Sequence, residues 1–176
     1  MLHTINKLRH VMGLLILLLV LFVPLTAVQA QGKPGGDRYE WLNDNNKGYY
    51  YFDKVTFGLA KDPYTTEQHL DVWIRLQFVD EGVSEEENLR LLNKMPVGAY
   101  QNLSYRMFRY WFRVRDRHYQ LLEVADFDDS GRELENNKVQ YSPVRWVRII
   151  PGTDEDTWFL KLTAYKQALD EAKKNQ

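Results

Sequence analysis

Between Leu70 and Val79 apolar and polar residues alternate without a break. Leu70, Val72, Ile74, Leu76 and Phe78 fall on one side of an extended chain, and Asp71, Trp73, Arg75 and Gln77 on the other. A period of two puts these sets on opposite faces of a strand, whereas a helix would scatter both around its circumference. A strand buried on both faces, as in a parallel sheet, would read as a continuous apolar run instead. The segment therefore predicts a half-buried antiparallel strand, and with it a sheet whose core lies on one side. Tyr105–Val114 repeats the pattern, with Phe108, Tyr110, Phe112 and Val114 facing the core and Arg109, Trp111, Arg113 and Arg115 opposite. His118–Phe127 reads as the next strand, so the chain turns near Asp116-Arg117. Asp128-Asp129-Ser130-Gly131 is a second hairpin turn, with glycine supplying a positive φ. Tyr49-Tyr50-Tyr51-Phe52 follows an Asn45–Gly48 turn signal as an earlier strand, which Lys54–Phe57 continues or pairs with. Val144–Ile150 is the last strand, ended by Pro151-Gly152.

Two segments change period. Ser84-Glu85-Glu86-Glu87 has the form of a capping box and predicts a short helix to about Asn93, stopped by Pro96 and Gly98. Near the C-terminus, Thr153 stands three residues before Asp156, and Asp154, Glu155 and Asp156 sit where a helix dipole favours acids. Trp158, Leu162, Tyr165, Leu169 and Ala172 then make one apolar stripe, and Lys173 and Lys174 fall at the far end. Strands followed by one amphipathic helix describe an α+β fold. We expect an antiparallel sheet of about five or six strands with a C-terminal α-helix packed on it and a short helix in a loop.

The first thirty residues bear on compartment. Met1–His10 carries Lys7 and Arg9 and no acid, Val11–Val23 is apolar, and Val28-Gln29-Ala30 offers small residues for cleavage. These are the three parts of a secretory signal. The apolar run of 13 residues is shorter than the ~20 a spanning helix needs. Residues 1–30 are thus read as a signal peptide and 31–38 as a flexible leader rich in glycine, with a single domain over 39–176. The expected destination is the periplasm, the cell surface or the medium, with membrane contact only through the signal if it stays uncleaved. The chain has no cysteine, which excludes thiol catalysis and thiolate metal sites and suits an oxidising compartment. With 23 Lys+Arg against 24 Asp+Glu it lacks the basic excess of a nucleic-acid binder.

No local motif assigns catalytic chemistry. Asp126, Asp128 and Ser130, with Gly131 in the sixth place, match the first half of a calcium loop. Glu133 then stands where an apolar residue belongs, and Asn137 where the bidentate glutamate should be. A plain turn explains the same residues, and no metal is assigned. His69 and His118 lack metal-ligand spacing, and there is no G-x-S-x-G elbow or glycine-rich phosphate loop. No cofactor is implied. The most distinctive cluster is basic and aromatic: Arg109, Trp111, Arg113, Arg115 and Arg117 share one strand parity. On a regular strand they make a cationic face able to meet carboxylates, sulfates or phosphates. The alternative is a solvated face neutralised by acids of the neighbouring strand, such as Glu123.

In this order, certain segments resemble the surface-adhesin E family of exported bacterial proteins. They are Tyr49-Tyr50-Tyr51-Phe52-Asp53, Val72-Trp73-Ile74-Arg75, Tyr105–Phe112 with Arg117-His118-Tyr119, Asp128–Gly131, and Trp146–Thr153 leading into the helix. The resemblance covers most of residues 39–165. It implies an antiparallel sheet with a packed C-terminal helix and a binding role rather than catalysis. Protein partners would include host extracellular-matrix proteins such as vitronectin and laminin, and self-association into a homodimer is possible within the family. Relatives often tie a strand to the last helix by a disulfide. The strand position here is Val114 and the helix has no cysteine, so docking must rest on Trp158, Phe159, Leu162 and Tyr165. The expected function is an exported non-enzymatic binding protein. The alternatives are a periplasmic envelope module for a small ligand or protein partner, and an unrecognised hydrolase.

Overall fold

The alternating segment becomes the longest-reaching strand of an antiparallel sheet. The computed structural model describes residues 36–175; residues 1–30, read above as a signal peptide, and residues 31–35 of the expected leader lie outside the described residues. The strands are β1 (Tyr39–Asn45), β2 (Gly48–Asp53), β3 (Gly58–Lys61), β4 (Gln68–Phe78), β5 (Leu103–Arg113), β6 (His118–Asp128), β7 (Glu133–Lys138) and β8 (Val147–Arg148). Two helices complete the α+β architecture, α1 (Asp80–Leu92) and α2 (Asp154–Lys174). The sheet runs in the order β1-β2-β4-β5-β6-β7, with β3 also pairing β4 and β8 also pairing β6. Three long central strands are thus flanked on each side by two shorter ones, which share one edge end to end.

One face carries the core. Leu70, Val72, Ile74, Leu76 and Phe78 of β4 are buried together with Tyr50, Phe52, Tyr110 and Phe112 of the neighbouring strands. Trp158, Phe159 and Leu162 of α2 close this layer, and the rings mesh at tilted angles, Tyr50 to Trp158 at 5.1 Å and Phe52 to Tyr165 at 4.9 Å. Polar bonds fix the helix's azimuth: Trp158 Nε1 donates to Asn43 Oδ1 at 2.6 Å and Lys161 Nζ to the Leu42 carbonyl at 2.6 Å. The Thr153 hydroxyl caps the first turn by accepting from the Asp156 amide. The apolar stripe outlasts the sheet, for Ala172 is exposed.

Several expectations need correction. The capping box is not used: α1 starts at Asp80 with Val79 before it, and Ser84 donates its hydroxyl back to the Asp80 carbonyl inside the helix. The early start brings Gly82 against the β1–β2 turn, where only glycine fits: a Cβ there would meet the Lys47 carbonyl at 2.1 Å. Lys54–Phe57 is a turn rather than a strand, held by the Asp53 carboxylate accepting from the Val55 amide at 3.0 Å. Of Val144–Ile150 only Val147–Arg148 pairs, as β8. Gly36–Arg38, placed in the leader, is a 3-10 turn whose Arg38 guanidinium grips Asp53 at 2.6 Å. Val114 lies past the end of β5, in the turn Val114–Asp116, and Arg117 takes a left-handed conformation at φ 55°.

A bulge in β6 decides which residues face which way. Arg109 lies opposite Glu123 and Tyr110 opposite Leu121, so Leu122 is an extra residue. Below it Tyr119 and Leu121 pack on the core, while above it Glu123, Ala125 and Phe127 share the opposite face with Arg109, Met107 and Tyr105. Among the described residues no helix is long and apolar enough to cross a membrane.

Leu162 is fully buried between α2 and the sheet. Leu162→Ala is expected to lower the unfolding free energy by about 2–5 kcal/mol, read as a shifted midpoint in urea titration.

Candidate binding face of the sheet

The face away from α2 is built by the alternate residues of β4, β5 and β6, and it divides into a roofed half and an open half. The roof covers the end near Trp111. Trp111, expected on an exposed cationic face, does point that way but is buried. Tyr141, from the loop between β7 and β8, packs on it at 5.1 Å between centroids, and His69 at 5.6 Å. Beneath this roof the Asp62 carboxylate collects four donors. They are Tyr141 Oη at 2.5 Å, His69 Nε2 at 3.0 Å, and the Tyr64 and Thr65 amides at 2.8 and 3.0 Å. Burial alone would push Asp62 up, yet the Tyr141 and His69 bonds and the two amides hold it well below the usual carboxylate range. Burial and the bond to that carboxylate push the Tyr141 hydroxyl up to about 12. The carboxylate is ionised, so His69 Nε2 carries the donated proton, and His69 Nδ1 faces no partner among the described residues. His69 is 1 % exposed. Asp62 thus ties the loop before β4 to His69 at the start of β4 and to Tyr141 in the loop after β7.

The open half lies toward β7. Here the roof ends and a hollow of about 360 Å³ crosses the strands. Ala125 and Met107 form its floor, Trp73, Tyr105 and Phe127 its walls, and Glu123 and Glu133 one rim. The depression has a simple cause: Ala125 is the smallest side chain on this face, flanked along β6 by Glu123 and Phe127. Tyr105 and Phe127 stack at 4.8 Å with 8° between planes, and the Arg75 guanidinium lies 3.8 Å from the Tyr105 centroid. These rings are only half buried.

The five arginine-stretch residues separate. Arg109, Trp111 and Arg113 stay on this face, while Arg115 and Arg117 leave it because the strand stops at Arg113. Each arginine already holds a carboxylate. Arg109 grips Asp71 with two bonds at 2.9 and 2.6 Å, and that bond raises its pKa. Arg113 binds Asp116 at 2.8 Å and lies 4.6 Å from the Trp146 ring centroid. Arg115 pairs with Glu67, and Arg117 with Asp156 of α2. The neutralising acids are mostly not on the adjacent strand, since three of the four come from loops or the helix. Periodicity places a side chain on a face but does not say which acids the fold brings to it.

Asp126 and Asp128 of the calcium-like turn are committed elsewhere. Asp126 accepts from Arg106 and, at 2.8 Å, from the Tyr100 hydroxyl; Asp128 accepts from Ser130 and Arg132 of its own turn. Among the described residues no group of three or more His, Cys, Asp or Glu is placed to hold a metal ion. On the core side, Glu135 joins this network through Tyr100 at 2.8 Å and Arg90 at 2.9 Å, which docks α1 against β6 and β7. The Asn137 amide, Tyr100 and Arg90 together pull the Glu135 carboxyl down to about 2. No family model, curated protein or solved structure matches this chain.

A carboxyl whose pKa falls on folding stabilises above its ordinary value, 4.5 for Glu135, and loses that contribution as pH drops toward about 2. Stability should therefore decline through this window. Glu135→Gln should lie below the parent at neutral pH and show a shallower acid decline, measured by thermal unfolding at pH 2 to 7.

Proposed function

We propose that this chain is an exported, non-enzymatic binding protein that engages a protein partner through the open half of its outer sheet face. The observation that carries the reading is the hollow itself, a concave apolar floor between half-buried rings that no element of the described residues covers. Proteins seldom leave aromatic surface in a concavity without an occupant. The signal-like first thirty residues support export. The resemblance to surface-adhesin E proteins supports extracellular-matrix proteins as the partner class. The arginine stretch contributes less than its composition implies: its guanidinium groups spend their hydrogen bonds on internal carboxylates, so they shape the face more than they present free charge.

Protein produced from the full chain, with its own leader, is to be tested on immobilised vitronectin and laminin at physiological salt. Ala125→Met fills the hollow without altering charge. Saturable binding that falls at least tenfold in this variant, with unfolding unchanged, is the expected result. Unchanged binding in Ala125→Met would remove this face from the interaction. A folded protein that binds neither matrix protein and stays inaccessible on intact cells would point to a partner inside the envelope.

A further inference from the structure

Trp73 is an exception among the five tryptophans of the chain. Trp41 has the Lys161 ammonium 3.7 Å from its ring centroid, Trp111 and Trp146 pack on His69 and Tyr141, and Trp158 packs on Tyr50 and Tyr110. Trp73 has neither a ring nor a cation against it among the described residues, and it forms a wall of the hollow. Beside it, one strand beyond Arg109, stands Glu123. Its side chain is 13 % exposed, and its one ion-pair partner among the described residues is Lys138 at 4.0 Å, too far for a hydrogen bond. Lys138 is itself 76 % exposed and makes no hydrogen bond to Glu123. Arg109, opposite Glu123 on β5, feels that carboxylate's charge, but its hydrogen bonds go to Asp71 and none reaches Glu123.

The hollow is also acidic. Its lining residues carry Asp53, Glu123 and Glu133 against Arg38, which is already bound to Asp53, while Arg75, not itself a lining residue, lies over the Tyr105 ring. An electron-rich indole face, an under-neutralised carboxylate and a net acidic lining recognise a cation. The hollow runs across β2, β4, β5, β6 and β7. Strands lie about 4.8 Å apart, so it offers a length of about 20 Å, the span of about six extended residues.

We infer that the hollow receives an extended basic segment of the partner protein, with one lysine or arginine side chain seated on Trp73 and paired with Glu123. This rests on the outer face being the docking face and specifies its occupant. Lys138 is displaced from Glu123 on binding, and the remaining basic residues of the segment meet Glu133 and solvent.

The test uses the protein produced from its full chain and a heptapeptide of alternating lysine and serine, followed by tryptophan fluorescence and by titration at rising salt. Saturable binding that weakens with salt is expected, with an affinity loss of at least tenfold in Glu123→Gln and in Trp73→Leu. Arg115→Gln, outside the hollow, should bind as the parent does. The same peptide with acetylated lysines keeps its length but loses its charge, and it should not bind. Absence of lysine-peptide binding, equal binding of the acetylated peptide, or unchanged affinity in both hollow variants would overturn the inference. A peptide that fails while Ala125→Met still abolishes partner binding overturns the cationic occupant alone; partner binding that survives Ala125→Met overturns the docking face.

Discussion

Everything in this fold depends on α2 lying across the core face of the sheet, against β1, β2 and β5. The strands offer a continuous apolar surface on that side, and Trp158, Phe159 and Leu162 fill it. Burying a side chain such as Phe159 or Leu162 contributes about 1.5–3 kcal/mol. No covalent tie helps, since the chain has no cysteine. Packing and the two polar anchors from Trp158 and Lys161 to β1 hold the helix instead.

A sheet covered on one side must do something with the other. Here the outer face is treated differently at its two ends. Near Trp111 the chain folds its own loops over the strands and staples them through Asp62, whose charge is tolerated in a buried place because four donors surround it. Toward β7 no loop of the described residues returns, and the bulge at Leu122 turns Ala125 outward where a larger residue would have levelled the surface. The edge strand β7, Glu133–Lys138, is polar and mostly exposed. Such an edge discourages pairing with another sheet.

The arginines show how a charge-rich sequence can build a nearly neutral surface. Arg109, Arg113, Arg115 and Arg117 reach Asp71, Asp116, Glu67 and Asp156, which stand on a strand, a turn, a loop and a helix. Three of the pairs tie another element to the β5–β6 hairpin, and Arg113–Asp116 braces the hairpin's own turn. Partly exposed pairs of this kind contribute little stability one by one. Their shared effect is on geometry, for they fix where the hairpin's flanking loops sit and so where the roof ends.

The α+β class, the core-facing half of β4, the β5–β6 hairpin and the capped C-terminal helix were all legible in the sequence. Each follows from short-range rules: side-chain period, turn residues and a capping hydroxyl act over a few positions, and no distant contact overrides them here. The start of α1, the exit of Arg115 and Arg117 from the strand, the burial of Trp111 and the hollow beside Trp73 were not legible. Those features come with a glycine pressed on a remote carbonyl, a bulge that reverses the parity of β6, and a loop returning from far along the chain. Alternation in the sequence therefore determined which face of the sheet is apolar. Only the tertiary structure decided which part of the other face stays open, because that depends on contacts between residues far apart in the chain.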